Sequence, residues 1–172
     1  MEPRKLLMNY ALKLLGGRRY TTAGLQKKLN EKIKKLKLDA SEDARSSEDT
    51  ARVIERLKEL RLLDDGEYAN LYIEDQLRSK PQGTRMLKMR MAAKGLPKDI
   101  IGRALANYEA AGGDETKLAR AAAAKKLKTL GGLPPQKKKE KLARFLAARG
   151  FGTRSIMAVV GSSYADVEDS VD

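Results

Sequence analysis

Two groups of cations are the residues of this chain whose types and spacing could do chemistry. Leu87 and Met91 lie four residues apart, so a helix that buries both leaves three cations facing solvent: Arg85, Lys88 and Lys94. Leu142 and Leu146 have the same spacing, and a helix that buries them leaves four cations outside: Lys137, Lys138, Lys141 and Arg144. Such surfaces bind phosphates and release counterions. Any one of these lysines alone is better explained as a solubilising residue, but the repeated set favours a binding surface.

The distribution of charge supports a polyanionic partner. The chain has 172 residues and a net charge of +13. Residues 1–38 carry +9 (11 cations, 2 carboxylates) and residues 76–149 carry +14 (19 and 5). Between them residues 39–75 carry −7 (5 and 12), and residues 150–172 carry −3 (1 and 4). A uniformly solubilising surface would not separate the signs in this way. The basic blocks therefore indicate contact with a polyanion such as a nucleic acid, and a solvated lysine-rich surface is the alternative that charge alone leaves open.

Composition excludes several classes of chemistry. The chain has no cysteine and no histidine, which removes disulfides, thiol catalysis and every histidine-based acid, base or metal site. We expect no catalytic residues, no cofactor and no metal site. No apolar run approaches the roughly 20 residues of a membrane span, and no signal-peptide core opens the chain, so we expect a cytoplasmic protein without a membrane partner.

Three other motifs are better explained by structure than by chemistry. Asp64-Asp65 resembles a carboxylate pair but stands where a helix cap is expected. Tyr68 and Tyr72 could stack on bases, yet their spacing favours a place in the core. The Gly-Gly pairs lack the lysine and hydroxyl of a phosphate loop, so we interpret them as helix stops.

One segment of the chain repeats after 55 residues without a gap. Residues 91–96 (MAAKGL) return as residues 146–151 (LAARGF), followed by apolar residues at matching positions. A fixed period indicates a structural unit copied along the chain. The copied pattern of apolar residues four apart, a cation, a glycine and an apolar residue is typical of a helix, its stop and the start of the next helix.

These patterns predict nine helices, which would position the candidate binding residues. Helical spacing of apolar residues and the low aromatic content of 5% favour an all-α fold of three tandem three-helix units. We place the units at residues 1–63, 64–111 and 112–161, with an acidic loop at 39–47 and an acidic, frayed tail at 162–172. The predicted caps and stops are Thr21 or Thr22, Asp64, Thr84, Asp114, Gly95 and Gly150.

These blocks together resemble the RecX family, regulatory proteins that act on the RecA recombinase. The most diagnostic stretch is Leu62-Leu63-Asp64-Asp65 followed by Tyr68-Ala69, and the second-unit pattern runs from Gly83 to Leu105. The first unit adds a leucine-rich helix followed by Arg18, Thr21 and Leu25, so the resemblance covers residues 6–160. Three departures are Gly24 and Arg90, where the family usually has acidic residues, and a longer loop at 39–47.

The resemblance implies an elongated, curved helical array and a function. RecX-like proteins are not enzymes; they lie along the groove of the RecA–single-stranded-DNA filament, contact protein and DNA phosphates, and commonly inhibit RecA. We therefore expect a monomer that modulates RecA in recombination, DNA repair and the SOS response. Three alternatives stay open: a sequence-independent nucleic-acid-binding module without a RecA role, a helix-turn-helix transcription factor, and a protein-interaction scaffold.

Overall fold

The computed structural model describes residues 3–35 and 43–168, and within these residues it contains nine α-helices and no β-strand. The predicted all-α class is confirmed. In chain order the helices are α1 (Pro3–Gly17), α2 (Thr22–Lys35), α3 (Asp43–Glu59), α4 (Asp65–Ser79), α5 (Thr84–Ala93), α6 (Lys98–Ala110), α7 (Glu115–Leu127), α8 (Pro135–Ala148) and α9 (Thr153–Glu168).

Contacts divide the chain into two compact units. The first combines Met1–Ala69 with Met91–Ile101, and the second combines Asn70–Arg90 with Gly102–Asp172. The divisions fall inside α4, α5 and α6. The predicted limits of the three-helix units, at 63/64 and 111/112, group helices that follow one another along the chain. This grouping stays a prediction.

The first unit has an apolar core built by α1, α2 and α3. The predicted inward stripes of these helices are buried, at Leu7, Ala11, Leu25, Leu29, Ile33, Val53, Ile54 and Leu57. Full burial of one such leucine stabilises the fold by about 1.5–3 kcal/mol. The spacing of Val53, Ile54, Leu57 and Leu60 predicts one buried stripe on α3, and for Leu60 this prediction is wrong, because α3 ends at Glu59 and the Leu60 side chain is 47% exposed. Of the pair Leu62-Leu63 predicted to close the stripe, Leu63 is buried in this core and Leu62 is exposed.

The second unit has a core shared by α7, α8 and α9. Small residues of α7 allow its neighbours to approach closely, and Ala119, Ala122 and Ala123 are buried there. Leu142 and Leu146 of α8 lie against them, with Phe151 and Val159 completing the cluster. Ala121 and Ala124 of the same alanine run are exposed, because successive residues of a helix point to different sides.

Most of the predicted caps and stops lie at helix ends, whereas Thr84 is the first residue of α5 and its hydroxyl donates to Glu115 instead of capping the helix. Thr21 Oγ1 accepts from Gly24 N at 3.0 Å, and Asp64 Oδ1 accepts from Glu67 N at 2.9 Å. Asp114 Oδ1 accepts from Thr116 N at 2.8 Å. Gly95 and Gly150 have φ of +81° and +78°, the left-handed conformation that glycine adopts most easily. Local hydrogen bonds therefore account for the starts of α2, α4 and α7, and left-handed glycines for the ends of α5 and α8.

Two segments differ from the prediction. Helix α3 begins at Asp43, so residues 43–47 are helical rather than part of the acidic loop, and residues 39–42 lie outside the described residues. Polar turns at a helix start carry no apolar stripe to reveal them, and a Glu48–Arg52 pair supports the following turn. Helix α9 likewise continues to Glu168, so the tail predicted from residue 162 begins as helix; residues 169–172 are not described.

Candidate nucleic-acid interface

The predicted binding residues lie on the outer sides of α5 and α8. Leu87 and Met91 are fully buried, as are Leu142 and Leu146, which confirms the inward faces of both helices. Six of the seven predicted residues are exposed, namely Arg85, Lys88, Lys94, Lys137, Lys141 and Arg144, while Lys138 is half-buried. Arg144 Nη2 lies 3.6 Å from Glu140 Oε2. Because the Arg144 side chain is 80% exposed, this surface ion pair neutralises the charge of Arg144 only weakly.

The seven predicted binding residues are divided between the two compact units. Lys94 belongs to the first compact unit, and the other six belong to the second. Within the second unit, the N-terminus of α5 meets the turn after α8, where Arg85 N donates to the Gly150 carbonyl at 3.2 Å. Arg149 stands 55 residues after Lys94 and has a structural role, since its Nη1 donates to the Pro81 carbonyl at 3.1 Å and its guanidinium covers the Phe145 ring.

The contact between the start of α5 and the turn after α8 forms a joint, and two glycines allow the two backbones to meet there. Gly83 N donates to the Arg149 carbonyl at 2.9 Å. A Cβ at Gly83 would lie 2.1 Å from the Gly150 oxygen, and a Cβ at Gly150 would lie 2.5 Å from Met86 N. Side chains at either position would force the turn away from α5. The joint therefore fixes the start of α5, which carries Arg85 and Lys88.

Glu115 holds the same joint from the first turn of α7. Its Oε1 accepts from Thr84 N at 2.8 Å and from Thr84 Oγ1 at 2.9 Å. Its Oε2 accepts from Gly152 N at 3.1 Å and from Ser155 Oγ at 2.8 Å. Burial would raise the pKa of this carboxyl, but the hydrogen bonds from Thr84, Ser155 and Gly152 outweigh burial and lower the pKa.

A matching joint occurs in the first unit. Asp65, in the first turn of α4, accepts from Thr22 N at 2.7 Å, as Glu115 does from Thr84 N. Thr21 Oγ1 donates to the Lys94 carbonyl at 2.7 Å. A Cβ on Gly95 would lie 2.5 Å from Ala23 Cβ, so glycine is required there too. The sequence analysis missed both carboxylates as joint residues; the signal was the recurrence of an acidic pair at 64–65 and 114–115.

The predicted site consists of exposed or half-buried cations on the surfaces of α5 and α8 and in the turn that follows α5. Among the described residues no group of three or more Asp or Glu side chains is placed to hold a metal ion. The side-chain hydrogen bond between Lys28 and Glu31 raises the pKa of Lys28 and lowers the pKa of Glu31. Burial and the nearby carboxylates of Asp114 and Glu115 raise the pKa of Tyr108. Within the described part of the chain, no helix has the length and apolar character needed to span a membrane.

The fold and the site define a helical protein assembled from repeated three-helix domains with basic outer faces. Residues 64–105 match the family model for the second three-helix domain of RecX, and residues 114–160 match the model for its third. The regulatory protein RecX of Chlorobaculum tepidum is 40% identical over 153 residues, which cover 89% of this chain and 85% of that protein. The chain belongs to the RecX family of regulatory proteins.

Further relatives agree with this assignment. The regulatory protein RecX of Pelodictyon phaeoclathratiforme is 32% identical over 153 residues, covering 89% of this chain and 86% of the relative. The crystal structure of RecX from Lactobacillus salivarius matches the fold with a TM-score of 0.76, over 93% of this chain and 96% of the other, at 19% identity.

Proposed function

We propose that this chain binds the RecA–single-stranded-DNA filament and inhibits RecA in recombination and DNA repair. The observation that carries the proposal is membership of the RecX family over nearly the whole chain. The chain acts by binding, without catalysis and without a cofactor, as a monomer in the cytoplasm. Inhibition of RecA ATP hydrolysis and coprotease activity follows from occupation of the filament.

The exposed cations of α5 and α8 support DNA contact within that complex. Both helices bury two apolar residues and turn cations outward, so the chain repeats one kind of basic surface. A filament is itself repetitive, and repeated surfaces can engage successive phosphates. Each neutralised phosphate releases counterions, which makes binding weaken as salt rises.

RecA ATP hydrolysis on single-stranded DNA tests the proposal directly. Adding the chain at micromolar concentration should lower the steady-state rate of hydrolysis and the yield of strand exchange. The same chain added to a DNA-independent ATPase provides the control for non-specific effects. Unchanged RecA hydrolysis and strand exchange would refute the proposed function.

A sequence-independent nucleic-acid-binding module without a RecA role is the second candidate. The net charge of +13 favours it, because basic helix surfaces can bind phosphates without a protein partner. The two candidates differ in their preferred target. Tighter binding to RecA-coated than to naked single-stranded DNA supports the RecA regulator, and equal affinity supports the simpler module.

A further inference from the structure

A basic groove lies in the first unit, and of the residues predicted as DNA contacts Lys94 is the one that lines it. The groove has a volume of about 550 Å³ and runs beside the start of α2, bordered by the turn after α1 and the turn after α5. Its floor contains residues with little or no side chain, including Ala23, Gly24 and Gly95. This volume lies within the range of ligand-binding clefts in proteins.

Cations dominate the walls of the groove. Five line it, namely Arg18, Arg19, Lys27, Lys28 and Lys94, against one lining carboxylate, Glu31. Lys28 Nζ lies 2.7 Å from Glu31 Oε2, so that carboxylate is already engaged by its neighbour on α2. The residues that line the groove therefore carry a net positive charge, and the side chains of Arg19 and Lys27 among them are exposed.

Aromatic and planar groups accompany these cations. The Arg18 guanidinium lies over the Tyr20 ring, 4.5 Å from its centroid, and both line the groove. A guanidinium stacked on an aromatic ring presents a flat face to solvent, and nucleic-acid bases stack on such faces when they are unpaired. Backbone amides contribute little, because Asp65 and Thr21 already accept from the first amides of α2.

From this combination we infer that the groove binds single-stranded nucleic acid, with Arg19 and Lys27 contacting phosphates and Arg18 supporting a base. A duplex would offer phosphates but no unpaired base to the Arg18–Tyr20 pair. The inference deepens the proposed function by adding a nucleic-acid contact on the first unit, and it rests on that function only for the role of the bound DNA.

Fluorescence anisotropy with a short labelled oligo(dT) tests the phosphate contacts. The double variant Arg19→Gln/Lys27→Gln should bind about tenfold more weakly at low salt and lower the slope of log K against log salt by about 1.4, because each single-strand phosphate contact contributes about 0.7. The matched control Arg4→Gln/Lys5→Gln removes the same charges from a different groove of the first unit and should bind as the unmodified chain does.

The variant Arg18→Lys tests the stacking contact. It keeps the charge and removes the planar face, so oligo(dT) affinity should fall several-fold while the salt slope stays unchanged. A labelled duplex of equal length should bind more weakly than oligo(dT). Wild-type affinity in the double variant, equal losses in the control, or a preference for duplex would overturn the inference.

RecA hydrolysis measured on the same variants separates this inference from the proposed function. If oligo(dT) binding depends on the groove but the chain leaves RecA hydrolysis unchanged, the groove stands and the RecA proposal fails. If the chain inhibits RecA while the groove variants bind oligo(dT) normally, the RecA proposal stands and the groove fails.

Discussion

Glu115 is a half-buried carboxylate that accepts four hydrogen bonds from residues at the starts of two other helices. Its partners are Thr84 at α5 and Gly152 and Ser155 at α9. Hydrogen bonds to a charged acceptor stabilise more than neutral ones do. Position 115 therefore stabilises the second unit, although nothing in the residue's own sequence neighbourhood marks it as more than an acidic first-turn residue.

Replacing Glu115 with alanine should destabilise the second unit. The free energy of unfolding should fall by about 2 kcal/mol, since four donors lose a charged partner and recover only part of that loss by binding water. The corresponding fall in Tm is roughly 4–8 °C, measured by thermal unfolding. Glu109→Ala removes an exposed carboxylate from α6 and serves as the control. Equal Tm values for the two variants would contradict the role assigned to Glu115.

The lowered pKa of Glu115 also predicts how stability depends on pH. An unfolded glutamate takes up its proton near its ordinary pKa of 4.5, whereas the folded carboxyl holds its charge to lower pH. Acidification through this interval protonates the unfolded chain first and so favours unfolding. The stabilisation is complete above pH 4.5 and is lost as pH falls through the folded pKa.

The variant Glu115→Gln provides the comparison for this pH effect. Because glutamine does not titrate, the Tm difference between the unmodified chain and Glu115→Gln should narrow on acidification from about pH 6 to about pH 3. A difference that stays constant or widens over that interval would show that the carboxylate is not the titrating group.

At the scale of helices, most boundaries could be predicted because their causes are local. Asp64 and Asp114 accept from amides two and three residues later, and the leucine stripes repeat within single helices. The joints could not be predicted, since Thr84 and Glu115 are 31 residues apart and Thr22 and Asp65 are 43 apart. The polar first turns of α3 were missed because they contain no apolar spacing.

Alanine substitutions at two glycines distinguish a steric clash at the joint from the general stabilising effect of replacing a helical glycine with alanine. Gly83→Ala should lower the free energy of unfolding by about 1–3 kcal/mol, because its Cβ would overlap the Gly150 carbonyl and displace the turn. Gly102→Ala lies in α6 with no atom within 4 Å of its Cβ, so it should stabilise by about 0.5–1 kcal/mol. Urea unfolding of both variants measures the difference, and changes of the same sign would disprove a steric requirement at Gly83.

On the scale of the whole molecule, the 55-residue repeat carries both structure and charge. Its glycines stand at the two joints, where Gly95 lies against Ala23 and Gly150 lies against Met86. Its first apolar residues, Met91 and Leu146, are buried at the inner faces of α5 and α8, while most cations on these two helices are exposed. The copied segment thus joins helices in both units. Its own cations differ, since Lys94 is exposed whereas Arg149 is half-buried and holds the joint, and the other predicted cations lie before the segment on α5 and α8.

Charge reversal on α8 tests whether that surface contacts the filament. The triple variant Lys137→Glu/Lys138→Glu/Lys141→Glu should weaken association with RecA-coated single-stranded DNA, because the reversed side chains repel phosphates and the released counterions are fewer. Circular dichroism should show unchanged helicity, since Leu142 and Leu146 keep α8 in the core. Lys117→Glu/Arg120→Glu/Lys125→Glu reverses the same number of exposed charges on α7 and controls for net charge. Unaltered filament affinity of the α8 variant at low salt, or an equal loss in the α7 variant, would exclude α8 as a specific contact surface.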